Sequence, residues 1–160
     1  MVFPHHLFYG VKMPSRIANP LSYFATAVVI VAVVWLGTRG GILGTGVVSD
    51  ALQILGLLIV VWARLTFGFR SFHFGARPTQ GGLVTNGPYR YVRNPIYSGA
   101  LLIIVTGVAV HASASNVALG VVAFGALVTR ILCEEQLLPP VYPDYQDYAK
   151  KTPRLIPFLL

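Results

Sequence analysis

Between Leu83 and Tyr97 the chain reads Leu-Val-Thr-Asn-Gly-Pro-Tyr-Arg-Tyr-Val-Arg-Asn-Pro-Ile-Tyr. This stretch is polar, basic and rich in turn formers, yet apolar segments flank it. Gly87, inside Asn86-Gly87-Pro88-Tyr89, lets the backbone approach a ligand closely. Asn94-Pro95 predicts an extended residue followed by a helix start, with the first-turn N–H groups aimed back at the loop. Tyr89, Tyr91 and Tyr97 offer ring faces to a planar or cationic ligand. The plainer reading is that these tyrosines and arginines anchor helix ends at a membrane interface. A second patch is Glu134-Glu135, two of only five acidic residues in the chain. A carboxylate near a membrane boundary needs a cation or donor. Arg130 one turn earlier, Arg90 or Arg93 in the loop, or a ligand ammonium could serve. A helix-end salt bridge is again the plainer reading.

These patches must be held by apolar elements. Hydrophobic residues make up 55% of the 160-residue chain and charged residues only 11%. A soluble domain carries ~25% charged residues, whereas lipid covers the outside of a membrane protein. The net charge of +7 would suit nucleic acid in a soluble protein. Here the basic residues sit between apolar runs, which is the pattern of membrane flanks, so no nucleic-acid partner is expected. The single cysteine, Cys133, excludes an intrachain disulfide and a cysteine-based zinc site. His5-His6 has no third ligand nearby in sequence, and no metal site is expected. The start lacks a cleavable signal pattern, so the first apolar run is expected to stay as an anchor.

Met1–Asn19 reads as a lead-in, and Asn19-Pro20 as the start of a helix. Leu21–Thr38 carries no charge and approaches the ~20 residues of a bilayer span. Gly40–Ser49 is a glycine-rich loop after which Asp50 could cap a second span, Ala51–Phe69. Arg64 lies near the far end of that span, where it can snorkel. Gly68–Asn94 is the polar segment. Asn94–Thr129 contains no charge and is broken at His111–Asn116, giving a short hairpin of Tyr97–Val110 and Val117–Cys133. Each arm would reach only roughly 25 Å. Gln136–Leu160 is a tail with Pro, Tyr and basic residues. Gly37, Gly56, Gly107, Gly120 and Gly125 are expected to permit close helix packing, and Cys133 to fill a helix contact. Lys and Arg gather before the first span, after the second and after the last. That pattern predicts an all-α membrane protein of about four helices with both termini cytoplasmic. One domain is expected: an N-terminal helical hairpin over 1–67 and a site-forming part over 68–160.

The residues Gly81-Gly82-Leu83-Val84-Thr85-Asn86-Gly87-Pro88-Tyr89-Arg90-Tyr91-Val92-Arg93-Asn94-Pro95-Ile96-Tyr97-Ser98-Gly99 resemble the signature of the isoprenylcysteine carboxyl methyltransferase family. So do Arg130-Ile131-Leu132-Cys133-Glu134-Glu135-Gln136-Leu137-Leu138, the Tyr142–Tyr148 run and Arg154-Leu155-Ile156-Pro157, in the same order and at a similar separation. The likeness covers Gly81 to Pro157, and the phospholipid methyltransferases are similar. It implies an integral-membrane methyltransferase, without a Rossmann domain, that uses S-adenosyl-L-methionine. By the same resemblance Leu83, Val84, Gly87, Pro88 and Tyr89 would hold the adenosine, Asn94 and Tyr97 would lie nearer the sulfonium and carboxylate, and Glu134, beside Glu135, would bind the amino group. The bacterial inner membrane is the expected location.

Where eukaryotic members carry Arg-His-Pro, this chain has Arg93-Asn94-Pro95. Asn donates and accepts hydrogen bonds but cannot act as a base. Transfer of a methyl group to a carboxylate or thiolate requires no proton removal, so alignment and water exclusion suffice. Arg93 or Arg130 could then hold an anionic head, with a lipophilic or prenylated body lying among the helices. O-methylation of an isoprenylcysteine-like carboxylate is the leading expectation, and N- or S-methylation of a phospholipid or small molecule the alternative. A sterol-reductase-like enzyme using NADPH would share the Arg-x-Pro-x-Tyr turn but carries more spans. A four-helix transporter would need a carboxylate in the first span, and Leu21–Thr38 has none.

Overall fold

A computed structural model describes residues 15–68 and 82–157. His5-His6, His73, Arg70, Arg77 and most of the lead-in lie outside the described residues. The described chain is all-helical: α1 (Ser15–Thr38), α2 (Val47–Phe67), a 3₁₀ turn (Gly87–Arg90), α3 (Pro95–Val110), α4 (Ala114–Leu137) and the short α5 (Tyr145–Lys151). Three helices, α1, α2 and α4, are long and apolar enough to cross a membrane, and α3 is a shorter apolar helix.

The helices are not arranged in chain order. α1 packs along α4, α2 along α3, and α3 meets α4 over a shorter stretch, so the spatial order is α1–α4–α3–α2. The segment expected to form an N-terminal hairpin is thereby shared out: α1 and α2 each find their main partner in the C-terminal half. The core is thin. Leu127, Ile131 and Leu155 are buried, with Val29 and Tyr97 packed against them. Phe24, Leu57, Leu58 and Val121, among many others, are exposed, as faces covered by lipid would be.

Several boundaries differ from the sequence expectation. α1 is already helical at Ser15, so Pro20 lies inside it. Its missing N–H costs one bond, to the Arg16 carbonyl, on an exposed turn near the helix start. α2 starts at Val47 after Gly46, not at an Asp50 cap. Ser49 does the capping instead: its hydroxyl accepts from the Thr45 and Gly46 N–H groups at 3.1 Å each and donates to the Gly46 carbonyl at 2.8 Å. Asp50, in the first turn, adds negative charge where the helix dipole favours it. α4 starts at Ala114, because Ser113 accepts from the Asn116 N–H, and it runs on through Glu134 and Glu135 to Leu137. The acid pair therefore sits in the final turns of α4 rather than beyond it.

Glycines set the closest contacts. A Cβ on Gly56 would meet the Gly99 carbonyl at 2.8 Å, and one on Gly99 would meet the Gly56 carbonyl at 2.5 Å. α2 and α3 thus cross backbone to backbone. Gly107 admits the Ile42 backbone, and Gly120 lies against Val108. Gly37 and Gly125, expected to serve packing, make no close contact. The loop after α1 folds into this end, pinned by Gln53, which accepts from the Gly44 N–H at 2.9 Å and donates to the Ile42 carbonyl. His111 bonds the Leu43 carbonyl at 2.8 Å.

Substituting Gly99→Ala should therefore lower stability by about 1–3 kcal/mol through overpacking. Gly125→Ala, facing open space in a helix, should raise it by up to about 1 kcal/mol. Thermal unfolding of both variants in detergent checks the contrast.

Candidate functional site

The two polar patches meet at one end of the helix row. Pro95, buried at the first position of α3, starts a helix that places Tyr97 and Ser98 in its first turn. α4 brings Arg130, Glu134 and Glu135 to the same end. Consecutive residues on a helix point ~100° apart, and the two acids accordingly join different clusters.

Glu134 joins Tyr97 and Arg130. The Tyr97 hydroxyl donates to the Glu134 carboxylate, with oxygens at 2.7 and 2.8 Å. Arg130 Nε lies 2.6 Å from the Tyr97 oxygen and 2.9 Å from Glu134 Oε1. The guanidinium also stands 5.7 Å from the Tyr97 ring centroid, so the ring already engages a cation. Arg130 Nη1 donates to Thr26 on α1. The Glu134 side chain retains 24% exposure.

Glu135 is spent differently. Its Oε1 accepts from the Asn94 amide at 2.8 Å and pairs with Arg93 Nε at 3.4 Å, while Oε2 takes Arg154 Nε at 2.9 Å. Arg93 and Glu135 are nearly sealed, at 8% and 9% side-chain exposure. Around this group the tail is laced to the loop. The Arg93 N–H donates to the Pro153 carbonyl at 2.8 Å, and the Asn94 N–H to Arg154 at 3.1 Å. Ser98 donates to the Leu155 carbonyl at 2.6 Å, and Tyr148 to the Tyr89 carbonyl at 2.6 Å. The backbone amides of Arg93 and Asn94, just before α3, are thus taken up by the tail. Asn94, with ψ at 58°, stops short of the extended pre-proline conformation while making these bonds.

The remaining expected residues lie in the loop that packs against α2. Leu83 and Val84 are half-buried, and Pro88 and Tyr89 are buried in the 3₁₀ turn. Gly87 needs its φ of +58°, and a Cβ there would collide with Thr66 of α2 at 2.6 Å. The Tyr89 ring lies 5.8 Å from that of Phe67. Burial pushes its hydroxyl from 10.0 to about 12, with Arg64 opposing and Glu134 assisting. Arg64 and Glu134 therefore both stand within electrostatic reach of that hydroxyl. Burial likewise raises Tyr148. Tyr91, by contrast, is exposed and takes no part. Sequence reasoning missed Arg154, Tyr148, Ser98 and Thr26. Among the described residues no three His, Cys, Asp or Glu side chains gather into a metal-binding group. An apolar groove of about 640 Å³, lined by Val48, Leu52, Val105 and Ala109, lies at the opposite end.

Residues 44–145 match the family model described as phospholipid methyltransferase. The chain is 31% identical over 113 residues to the nickel-cobalt-cadmium resistance protein NccN of Alcaligenes xylosoxydans xylosoxydans, covering 70% of this chain and 53% of that protein. It is also 31% identical over 113 residues to the cobalt-zinc-cadmium resistance protein CzcN of Cupriavidus metallidurans, covering 70% and 52%. The chain thus spans about half the length of these curated relatives. No solved structure matches it.

A folded state that keeps the Tyr89 proton while the unfolded chain releases it loses stability as pH rises. The Tyr89 contribution should be intact below pH 10.0 and vanish toward about 12. Phenolate absorbance against pH should show a late-titrating component that Tyr89→Phe reduces by one tyrosine, leaving that of Tyr148.

Proposed function

Because the chain belongs to the phospholipid methyltransferase family, we propose that it is an integral-membrane enzyme transferring a methyl group from S-adenosyl-L-methionine to a lipophilic acceptor. The observation that supports this best is the division of the acid pair. Glu135 is sealed at 9% exposure among Arg93, Arg154 and Asn94, while the Glu134 side chain, held by Tyr97 and Arg130, keeps 24% exposure.

The chemistry of this set fits the cofactor. A carboxylate suits its ammonium group, a guanidinium its carboxylate, an aromatic ring its sulfonium, and a glycine-opened loop its nucleoside. We assign Glu134, Tyr97 and Arg130 to the amino-acid part, and the backbone around Leu83, Val84, Gly87, Pro88 and Tyr89 to the adenosine. Arg93, Glu135 and Asn94 act together to hold the tail rather than to contact substrate. When bound, S-adenosyl-L-methionine supplies an electrophilic methyl group.

The chain's own contribution is placement and dryness. Glu134 orients a cation by charge, and Arg130 holds Glu134 and Tyr97 in one arrangement. Leu127, Ile131 and Leu155 provide an apolar floor that excludes water. Tail and loop, laced together, close the site from the aqueous side, and the acceptor's apolar body lies against the helices in the lipid. Asn94 cannot remove a proton, which favours a carboxylate or thiolate acceptor such as an isoprenylcysteine-like carboxylate. The family's description favours a second reading, N-methylation of a phospholipid amine. The distribution of Lys and Arg supports cytoplasmic termini and a site opening to the cytoplasm. We read 1–160 as one domain, with α1 and the tail both completing the site, in the inner membrane of a bacterium.

Calorimetric titration of the purified protein with S-adenosylhomocysteine should give saturable heat, and reduced nicotinamide cofactor none. Heat from the nicotinamide alone would sink the reading. Glu134→Gln should weaken binding by about tenfold or more. Glu135→Gln should instead lower stability by a few kcal/mol, about what an uncompensated buried pair costs, and speed proteolysis of the tail. With labelled cofactor and membrane lipid, label released by alkali identifies a methyl ester; alkali-stable label identifies N- or S-methylation.

A further inference from the structure

Helix α1 lies wholly before residue 44, where the stretch shared with the family begins. Taken alone, it would be an anchor. Its contacts give it more to do. Arg130 Nη1 donates to the Thr26 hydroxyl oxygen. The Thr26 hydrogen is already committed to the Ser22 carbonyl, at 2.7 Å. A hydroxyl has one hydrogen, so toward Arg130 this oxygen can only accept. At its other edge Arg130 spends Nε on Tyr97 and Glu134. A guanidinium is planar and rigid, so holding both edges fixes its plane.

The same face of α1 carries further polarity. A Cβ on Gly41, just past α1, would meet the Asn116 amide near the start of α4 at 3.0 Å, so the two helices run antiparallel. Ser22 therefore lies one turn nearer the polar end than Thr26. It is 0% exposed, and neither its hydroxyl nor Asn19 Oδ1 has a hydrogen-bond partner among the described residues. Such atoms weaken a pure packing face.

We propose that Thr26 is a positioning residue: by fixing Arg130 it sets the geometry that Tyr97 and Glu134 offer to the ligand, which makes α1 part of the site. This rests on the cofactor reading given above. Calorimetry with S-adenosylhomocysteine keeps the two apart. Without wild-type binding both fall; with wild-type binding and equal affinity in Thr26→Val, only the positioning role falls.

The expected result is about tenfold weaker binding in Thr26→Val, and affinity within about threefold of wild type in Thr26→Ser, which keeps the acceptor. Leu36→Ala, a fully buried α1 residue toward the opposite end, should lower the melting temperature and leave affinity unchanged. In an Arg130→Lys background, Thr26→Val should cost less than about twofold more, because the two changes break one interaction. If the loss persists in that background, or if Leu36→Ala weakens binding as much, α1 acts through packing and the proposal is overturned. Where Thr26→Val fails to fold, Thr26→Cys, with a much weaker acceptor, carries the same expectation.

Discussion

Two neighbouring carboxylates in the last turns of α4 cannot share one partner set, and much of the polar end follows from that. Helical geometry turns Glu134 toward Tyr97 and Glu135 toward the tail. Like charges side by side would repel at the edge of a low-dielectric slab. Each is therefore met by its own arginines: Arg130 for one, Arg93 and Arg154 for the other. Because those arginines come from α4, the loop and the tail, neutralising two charges ties together segments far apart in the chain.

Burial alone would not favour such a cluster, since desolvating ions costs what their attraction returns. What it adds is uniqueness. A tail laced by Ser98, Asn94, Arg93 and Tyr148 has one register against the loop. A slip by one residue would strand Glu135 among partners it no longer reaches. The thin apolar core, centred on Leu127, Ile131 and Leu155, could not specify that register by itself.

Much of this was legible in the sequence. The charge-free runs marked the helices, and the clustering of Lys and Arg put the loop and the acid pair at one end. The chemistry of Asn94-Pro95 located the start of α3. What could not be read was partner choice. Nothing local says that Glu135 would take Arg154 across 19 positions, or that Arg130 would reach Thr26 across 104. Capping went to Ser49 instead of Asp50 because the turn at Gly46 places Ser49 within reach of two amides. Pro20 was read as a helix start because proline is favoured in a first turn, where its missing donor goes unused; here the helix begins at Ser15 and tolerates one absent bond near its start. The Gly56–Gly99 crossing was half seen, since Gly99 also falls within the loop signature and was read for that.

α3 has 16 residues, so it measures about 24 Å along its axis. The hydrocarbon slab it sits in is ~30 Å thick. Its far end is fixed, with Gly107 seated on the Ile42 backbone, so the helix cannot slide to share the deficit. A span shorter than the slab is met by thinning of the bilayer, by snorkelling of flanking side chains or by association. Under the methyl-transfer reading proposed above, a bilayer thinned around α3 would bring a lipid-anchored acceptor toward the polar end without its leaving the membrane.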